Sequence, residues 1–255
     1  MADVRTVTAA WRLGGAAVLA AATLAGAQDD PKELVRQALA EAALKPAIAR
    51  VTFTSGSQSR EVEIRRKRDE GGDRIHIEVT APFNYKGVRY VFLEEAGGHH
   101  DHYTYLPALK RTVRISEESL SQPFLATEFY VADMIPPQVD AYTYGFVGEE
   151  EIAGRKCRLV ERVPTSGRDA LYGKTILAVD PADRLIVRTE FFEPDGRPLK
   201  VWTVERFEKV DGVWTALEQT MRALETGVEW KLTVAEIRYG VTLDDGDFQP
   251  IGLDG

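Results

Sequence analysis

"ARVTFTSGSQSREVEIRRKRDEGGDRIHIEV", residues 49–79, alternates apolar and polar side chains in three successive runs, with turn residues between them. Val51 and Phe53 alternate with Thr52 and Thr54, and Val62 and Ile64 with Glu61, Glu63 and Arg65. Ile75, Ile77 and Val79 alternate with Arg74, His76 and Glu78. A period of two places each apolar set on one face, so the stretch reads as three antiparallel strands sharing a buried face. His76 falls on the polar phase and is expected to face solvent. The pattern continues in "VRYVFLE", "HYTYLP", "KCRLVERV", "YGKTILAVD", "RLIVRTEFF", "KVWTVERFEKV", "VWTALEQTM" and "VEWKLTVAEI". Turn signals such as "EGGD", "PADR", "EPDGRP" and "VDGV" punctuate it. About ten or eleven strands joined by hairpins predict a mainly β chain with one large antiparallel sheet.

Helical signals are few. "DDPKELVRQALAEAAL" offers Asp30 as N-cap, Pro31 as first helical residue, and an apolar stripe of Leu34, Val35, Ala38, Leu39 and Ala42. "SLSQPFLATEFYVADMIPPQ", from Ser119 to Gln138, lacks alternation, is crowded with Phe124, Leu125, Phe129, Met134 and Ile135, and ends at Pro136-Pro137. It predicts a short lid helix. A large sheet with two helical covers implies strong curvature: an incomplete barrel whose concave face and helices bury one another and enclose a cavity.

At the N-terminus, Arg5 and Arg12 precede the apolar run Leu13 to Ala25, followed by Ala25-Gly26-Ala27 and polar "QDDPKE". This matches a cleavable secretory signal over residues 1–27 and is too short to span a bilayer comfortably. Residues 28–255 then form one exported, periplasmic domain, expected to be monomeric. Losing Asp3, Arg5 and Arg12 turns 32 basic and 40 acidic residues into 30 and 39, a net −9. That balance argues against nucleic acid as partner. The basic run Arg65 to Arg68 reads as a solvated strand end. Cys157 is the single cysteine, so no intramolecular disulfide exists, and its alternating context reads as a small buried hydrophobe.

Motifs for chemistry are absent: no nucleophile elbow, phosphate loop, nucleotide fingerprint, His-Glu-x-x-His helix or paired cysteines. The reading is therefore of a non-enzyme without cofactor. "GGHHDH" holds His99, His100 and His102 around Asp101. Imidazoles bind zinc, copper or nickel, but neighbours on a strand face opposite ways, and only His100 and His102 share a face. The stretch is expected to be an exposed, metal-free hairpin turn; a metal-binding protein using it is the least favoured alternative.

"APFNYKGVRYVF", "YTYLPALKRTVRIS" and "FLATEFYVADM" together resemble successive blocks of the outer-membrane lipoprotein-sorting-like proteins of the LolA/LolB superfamily. The positions that carry the resemblance are Pro82, Lys86 and Gly87, then Tyr105, Pro107, Lys110, Arg111, Arg114 and Ile115. Phe124, Thr127, Glu128, Phe129, Tyr130 and Asp133 complete it. The resemblance implies an incomplete antiparallel barrel with helices in its mouth and a dry cavity for acyl chains. Its function would be a periplasmic carrier or chaperone for a lipid or lipidated protein. Each sequestered methylene is worth about 0.8 kcal/mol, so acyl chains need such a cavity in water.

Candidate cavity and lid residues are Phe53, Val62, Ile64, Ile75, Ile77, Val79, Tyr90, Phe92, Tyr103 and Tyr105, with Phe124, Leu125, Phe129 and Met134 from the lid. Lys110, Arg111 and Arg114 are candidates for a lipid head group or a protein partner. An inner-membrane transporter or outer-membrane receptor is the expected partner. The alternative is a non-catalytic accessory domain that docks on an RND-type envelope transporter and binds no lipid.

Overall fold

The computed structural model describes residues 30–41, 45–95, 100–165 and 171–251. The expected signal segment, Ala42 and His99 lie outside them. Helix α1 (Pro31–Glu41) begins as the sequence implies. The Asp30 carboxylate accepts the Lys32 amide at 2.9 Å, and its carbonyl accepts the Leu34 amide at 3.0 Å. Leu34, Val35 and Ala38 are buried on one stripe.

Six strands follow: β1 (Ala47–Ser55), β2 (Gln58–Asp69), β3 (Gly72–Ala81), β4 (Arg89–Glu95), β5 (His100–Leu106) and β6 (Arg111–Arg114). After an irregular segment come β7 (Tyr142–Ile152), β8 (Arg155–Pro164), β9 (Lys174–Asp180), β10 (Leu185–Phe192), β11 (Pro198–Val210), β12 (Val213–Ala223) and β13 (Glu229–Tyr239). All thirteen lie in one antiparallel sheet ordered β6-β5-β4-β3-β2-β1-β13-β12-β11-β10-β9-β8-β7. The curved sheet is not closed into a barrel. The two strands beyond expectation are β6, only four residues long, and β7, whose outer half carries Gly148 and Glu149 to Glu151 in place of an alternating pattern. Both are edges, and their shortness and charge discourage pairing with another chain.

This strand order fixes the position of the lid. The chain builds outward from β1 to the β6 edge, then re-enters at the opposite edge, β7. Residues 115–141 must therefore connect one rim to the other. They do so as four 3-10 turns, Glu117–Ser121, Phe124–Ala126, Val131–Met134 and Val139–Ala141, in place of the expected helix. Pro123, Pro136 and Pro137 remove backbone donors, and Leu125 and Ala126 adopt left-handed φ of 53° and 57°.

Register aligns the alternating residues into apolar ladders, Val51–Val62–Val79 and Ile64–Ile77–Tyr90. They form the main core with Phe53, which is fully buried and meets Phe129 edge-on at 5.3 Å and Phe124 at 5.7 Å. A second cluster joins α1 to Val160, Leu177 and Val179 of β8 and β9. Cys157 is buried, as its context implied, and burial pushes its thiol up, away from the reactive thiolate.

His76 corrects an expectation. It is buried, because the C-terminal turn Asp245–Phe248 folds back over β3 and β4 and covers the outer phase of that strand. Burial, with Arg65 and Arg89 nearby, holds the imidazole below its ordinary 6.5. The basic run is divided likewise. Arg65 pairs with Glu63, Lys67 with Asp245 and Arg68 with Asp73, while Arg66 turns to the concave side.

Two predictions follow from this packing. The unfolded chain protonates His76 near pH 6.5 while the fold resists it, so stability falls as pH drops below 6.5. His76→Gln removes that component, up to about 1.4 kcal/mol per pH unit, in urea unfolding at pH 8 and pH 5.5. An ideal Cβ on Gly173 would sit 2.6 Å from the Glu193 carbonyl oxygen, whereas one on Gly145 meets nothing within 4 Å. Gly173→Ala is expected to destabilise by about 1–3 kcal/mol. Gly145→Ala should leave the unfolding midpoint unchanged.

Candidate binding cavity

Between the concave face, the lid and α1 lies a cavity of about 740 Å³, within the range of roughly 300–1,000 Å³ usual for small-molecule sites. Its wall is mainly apolar. Ile64 and Ile77 contribute from β2 and β3, Met134 and Ile135 from the lid, and Trp202 and Met221 from β11 and β12.

Of the residues expected from sequence, Ile64, Ile75, Ile77, Phe129 and Met134 reach this wall. Phe53, Val62, Val79, Tyr90, Phe92, Phe124 and Leu125 pack in the core cluster around it. Tyr103 and Tyr105 are misplaced by the sequence reading. Phe92 pairs with His102, so His102 shares the inward phase of β5 and Tyr103 takes the outward one. The two tyrosines line a separate groove of about 350 Å³ on the outer side, with His76, Arg89 and the C-terminal residues 246–251. Lys110 and Arg111 are exposed at the β5–β6 turn, and exposed Arg114 pairs with Asp101 at 2.6 Å; none of the three lines the cavity. The second half of the wall, including Arg162, Leu177, Phe191 and Leu232, lies outside the residues expected from sequence. Its signal was present, since those strands alternate as clearly as the first three.

The histidine stretch is also corrected. His100 and His102 are strand residues directed at the cavity, not parts of an exposed turn. Between them sits the buried Glu94 carboxylate. Its Oε1 lies 2.6 Å from His102 Nε2 and its Oε2 2.6 Å from His100 Nδ1. Oε2 also accepts Gln138 Nε2 from the lid at 2.9 Å. Among the described residues no group of three or more His, Cys, Asp or Glu is arranged to hold a metal ion.

The lid is fastened to the sheet by buried charge. Lys200, on β11, has a side chain 2% exposed, and its Nζ donates to Asp133 Oδ2 at 2.6 Å and to the Glu128 carbonyl at 3.0 Å. The same ammonium lies 3.5 Å from the Tyr130 ring centroid. Tyr172 donates its hydroxyl to Asp133 Oδ1 at 2.7 Å, and the Tyr130 amide donates to Oδ2 at the same distance. Burial pushes Lys200 down, with Asp133 opposing, and burial beside Asp133 pushes the Tyr172 phenol well up. At the other end Arg60 Nε donates to the Leu125 carbonyl at 3.0 Å, beneath the left-handed turn. Both carboxylate oxygens of Asp133 thus accept hydrogen bonds, which is what permits an ion pair to be buried here.

Lys200→Met strands the Asp133 carboxylate without its cation and is expected to cost about 3–5 kcal/mol. Lys200→Met combined with Asp133→Leu should recover most of that loss. Equilibrium urea unfolding of both variants checks the coupling; a double variant no more stable than the single one would show that the pair is not what holds the lid.

Comparison with known proteins agrees with this architecture. A family model described as "uncharacterized protein" matches residues 71–254. A domain from Vibrio parahaemolyticus, assigned as an outer membrane lipoprotein-sorting protein, is 25% identical with a TM-score of 0.79, covering 86% of this chain and 95% of that one. A DUF1329 family protein from Desulfovibrio piger is 24% identical at a TM-score of 0.77, over 87% of this chain and 98% of that one. A LolA superfamily protein from Nitrosomonas europaea shares the fold, with 18% identity and a TM-score of 0.68 over 87% and 98%. No curated protein matches the sequence significantly. The chain thus belongs to the family whose model spans residues 71–254, and its open thirteen-stranded sheet has the fold of the solved lipoprotein-sorting and LolA superfamily domains.

Proposed function

We propose that the protein is a periplasmic carrier, exported by cleavage after Ala27, that holds a lipid or the acyl chains of a lipidated protein in its half-barrel. It acts by binding and release, without catalysis and without a cofactor. The observation that carries this reading is the apolar cavity under a lid tied down by a few polar contacts. A filled interior would serve a scaffold equally well; an apolar void of this size instead offers an acyl chain a place out of water.

Release follows from how the lid is held. Leaving the mouth means breaking the Lys200–Asp133 pair and the Arg60 and Gln138 contacts, all of which water satisfies once they open. A transporter at the inner membrane and a receptor at the outer membrane are the partners such a carrier needs. Their role would be to supply the contacts that open the lid.

Native mass spectrometry of protein taken from its own periplasm should show a bound amphiphile, and the stripped protein should take up one equivalent of a fluorescent acyl probe. Ile64→Arg, at the cavity wall, should lower probe affinity at least tenfold while far-UV circular dichroism stays unchanged. Protein that is isolated empty and ignores the probe would overturn the reading.

A further inference from the structure

Most charged groups that face the cavity are already engaged. Asp133 is held by Lys200 and Tyr172, Glu94 by His102 and Gln138, and Lys174 by Glu161 at 2.7 Å. Arg66 is engaged by Tyr239, and Glu117 is exposed at the rim. Arg162 differs. It stands on β8, its residue is 9% exposed, and it belongs to the cavity wall. Its Nε donates to Thr175 Oγ1 at 2.9 Å, and its guanidinium lies 4.6 Å from the Tyr142 ring centroid. Among the described residues no carboxylate lies within ion-pair distance of it, and no protein acceptor takes a hydrogen from either Nη.

A guanidinium carries five N–H donors and stays charged at any physiological pH. Thr175 takes one of the five, and the two Nη groups stay accessible from the cavity, where water or a bound group supplies their acceptors. Thr175 and Tyr142 position the group, since one fixes Nε and the other supports its face, leaving the Nη side toward the void. Leu177 and Ile186 continue the wall beside it as apolar surface. The arrangement is a fork for a planar or tetrahedral oxyanion at the head of an apolar channel.

Resting on the carrier reading above, we infer that the cavity selects amphiphiles with an anionic end group, a long-chain carboxylate or a lipid phosphate, and that Arg162 receives that oxyanion while the chain lies along the wall. Neutral acyl esters would fill the same space without matching the charge.

The experiment is displacement of a bound fluorescent acyl probe from the full chain by palmitate, 1-palmitoyl lysophosphatidate and methyl palmitate. Wild-type protein should bind palmitate or the lysophosphatidate at least tenfold more tightly than methyl palmitate, and the better of the two identifies the head group. Arg162→Gln should bring the anionic ligands to the level of the ester while leaving the ester unchanged, and Arg162→Lys should fall between. If Arg162→Gln fails to fold, the preference of the wild-type protein for anion over ester decides the question. Equal affinity for all three ligands on the wild-type protein, or no change in Arg162→Gln, overturns the inference but leaves the carrier reading intact. Failure of every ligand to bind overturns the carrier reading itself.

Discussion

The concave face of a thirteen-stranded sheet is too large to be left in water, and among the described residues one short α-helix is there to cover it. This constraint organises the molecule. The strand order places β6 and β7 at opposite rims, so the segment between them has to cross the mouth. Helix α1 covers β7, β9 and β10, and the crossing covers the remainder. Neither fills the interior, and the unfilled part is the cavity. Curvature, lid and void are consequences of one geometric imbalance between sheet area and helical cover.

The 3-10 turns of the crossing bond within themselves, as Phe124 does with Phe129 and Val131 with Gln122, but those local bonds do not fix where the crossing sits on the sheet. Three polar anchors do so, from β2 at Arg60, from β4 at Glu94 and from β11 at Lys200. The Lys200–Asp133 pair is the most demanding, because two charges are taken out of water together. Replacing them by apolar side chains would cover the same surface. What the ion pair adds is direction: it is satisfied in one lid position only, whereas apolar contacts tolerate sliding. The apolar rings of Phe124 and Phe129 provide the adhesion, and the charges provide the register.

Much of this was legible in the sequence and some of it could not be. Period-two alternation gives the strands, their turns and the inward phase wherever a strand is apolar on one side, as for Val62 and Ile64. It fails on β5, where Tyr103 and Tyr105 are aromatic on the phase that faces outward. That phase is sheltered by the C-terminal residues 246–251, which return from the far end of the chain, and no local pattern announces a cover so distant in sequence. His76 lies under the same cover. Lys200 sits in an otherwise alternating strand and reads as a solvent-facing lysine. Its partner, Asp133, is 67 residues earlier, in a segment without periodicity. Buried polar groups are specified by partners, and partners are specified by topology, which alternation does not encode.

The same reasoning separates the charged residues that stabilise from those that do something else. Lys200, Arg60 and Glu94 each make at least two hydrogen bonds to protein partners. A fold that satisfies buried charge so thoroughly at the lid has the means to do so elsewhere, and thirty-nine residues of the chain after residue 27 are acidic. A carboxylate beside Arg162 would be a small change on β7 or β9, and none is there. Thr175 and Tyr144 are the register partners of Arg162 on β9 and β7, and Thr175 with the Tyr142 ring holds the guanidinium without neutralising it. An arginine positioned in this way is matched by a group that comes and goes, and the space open to it among the described residues is the cavity.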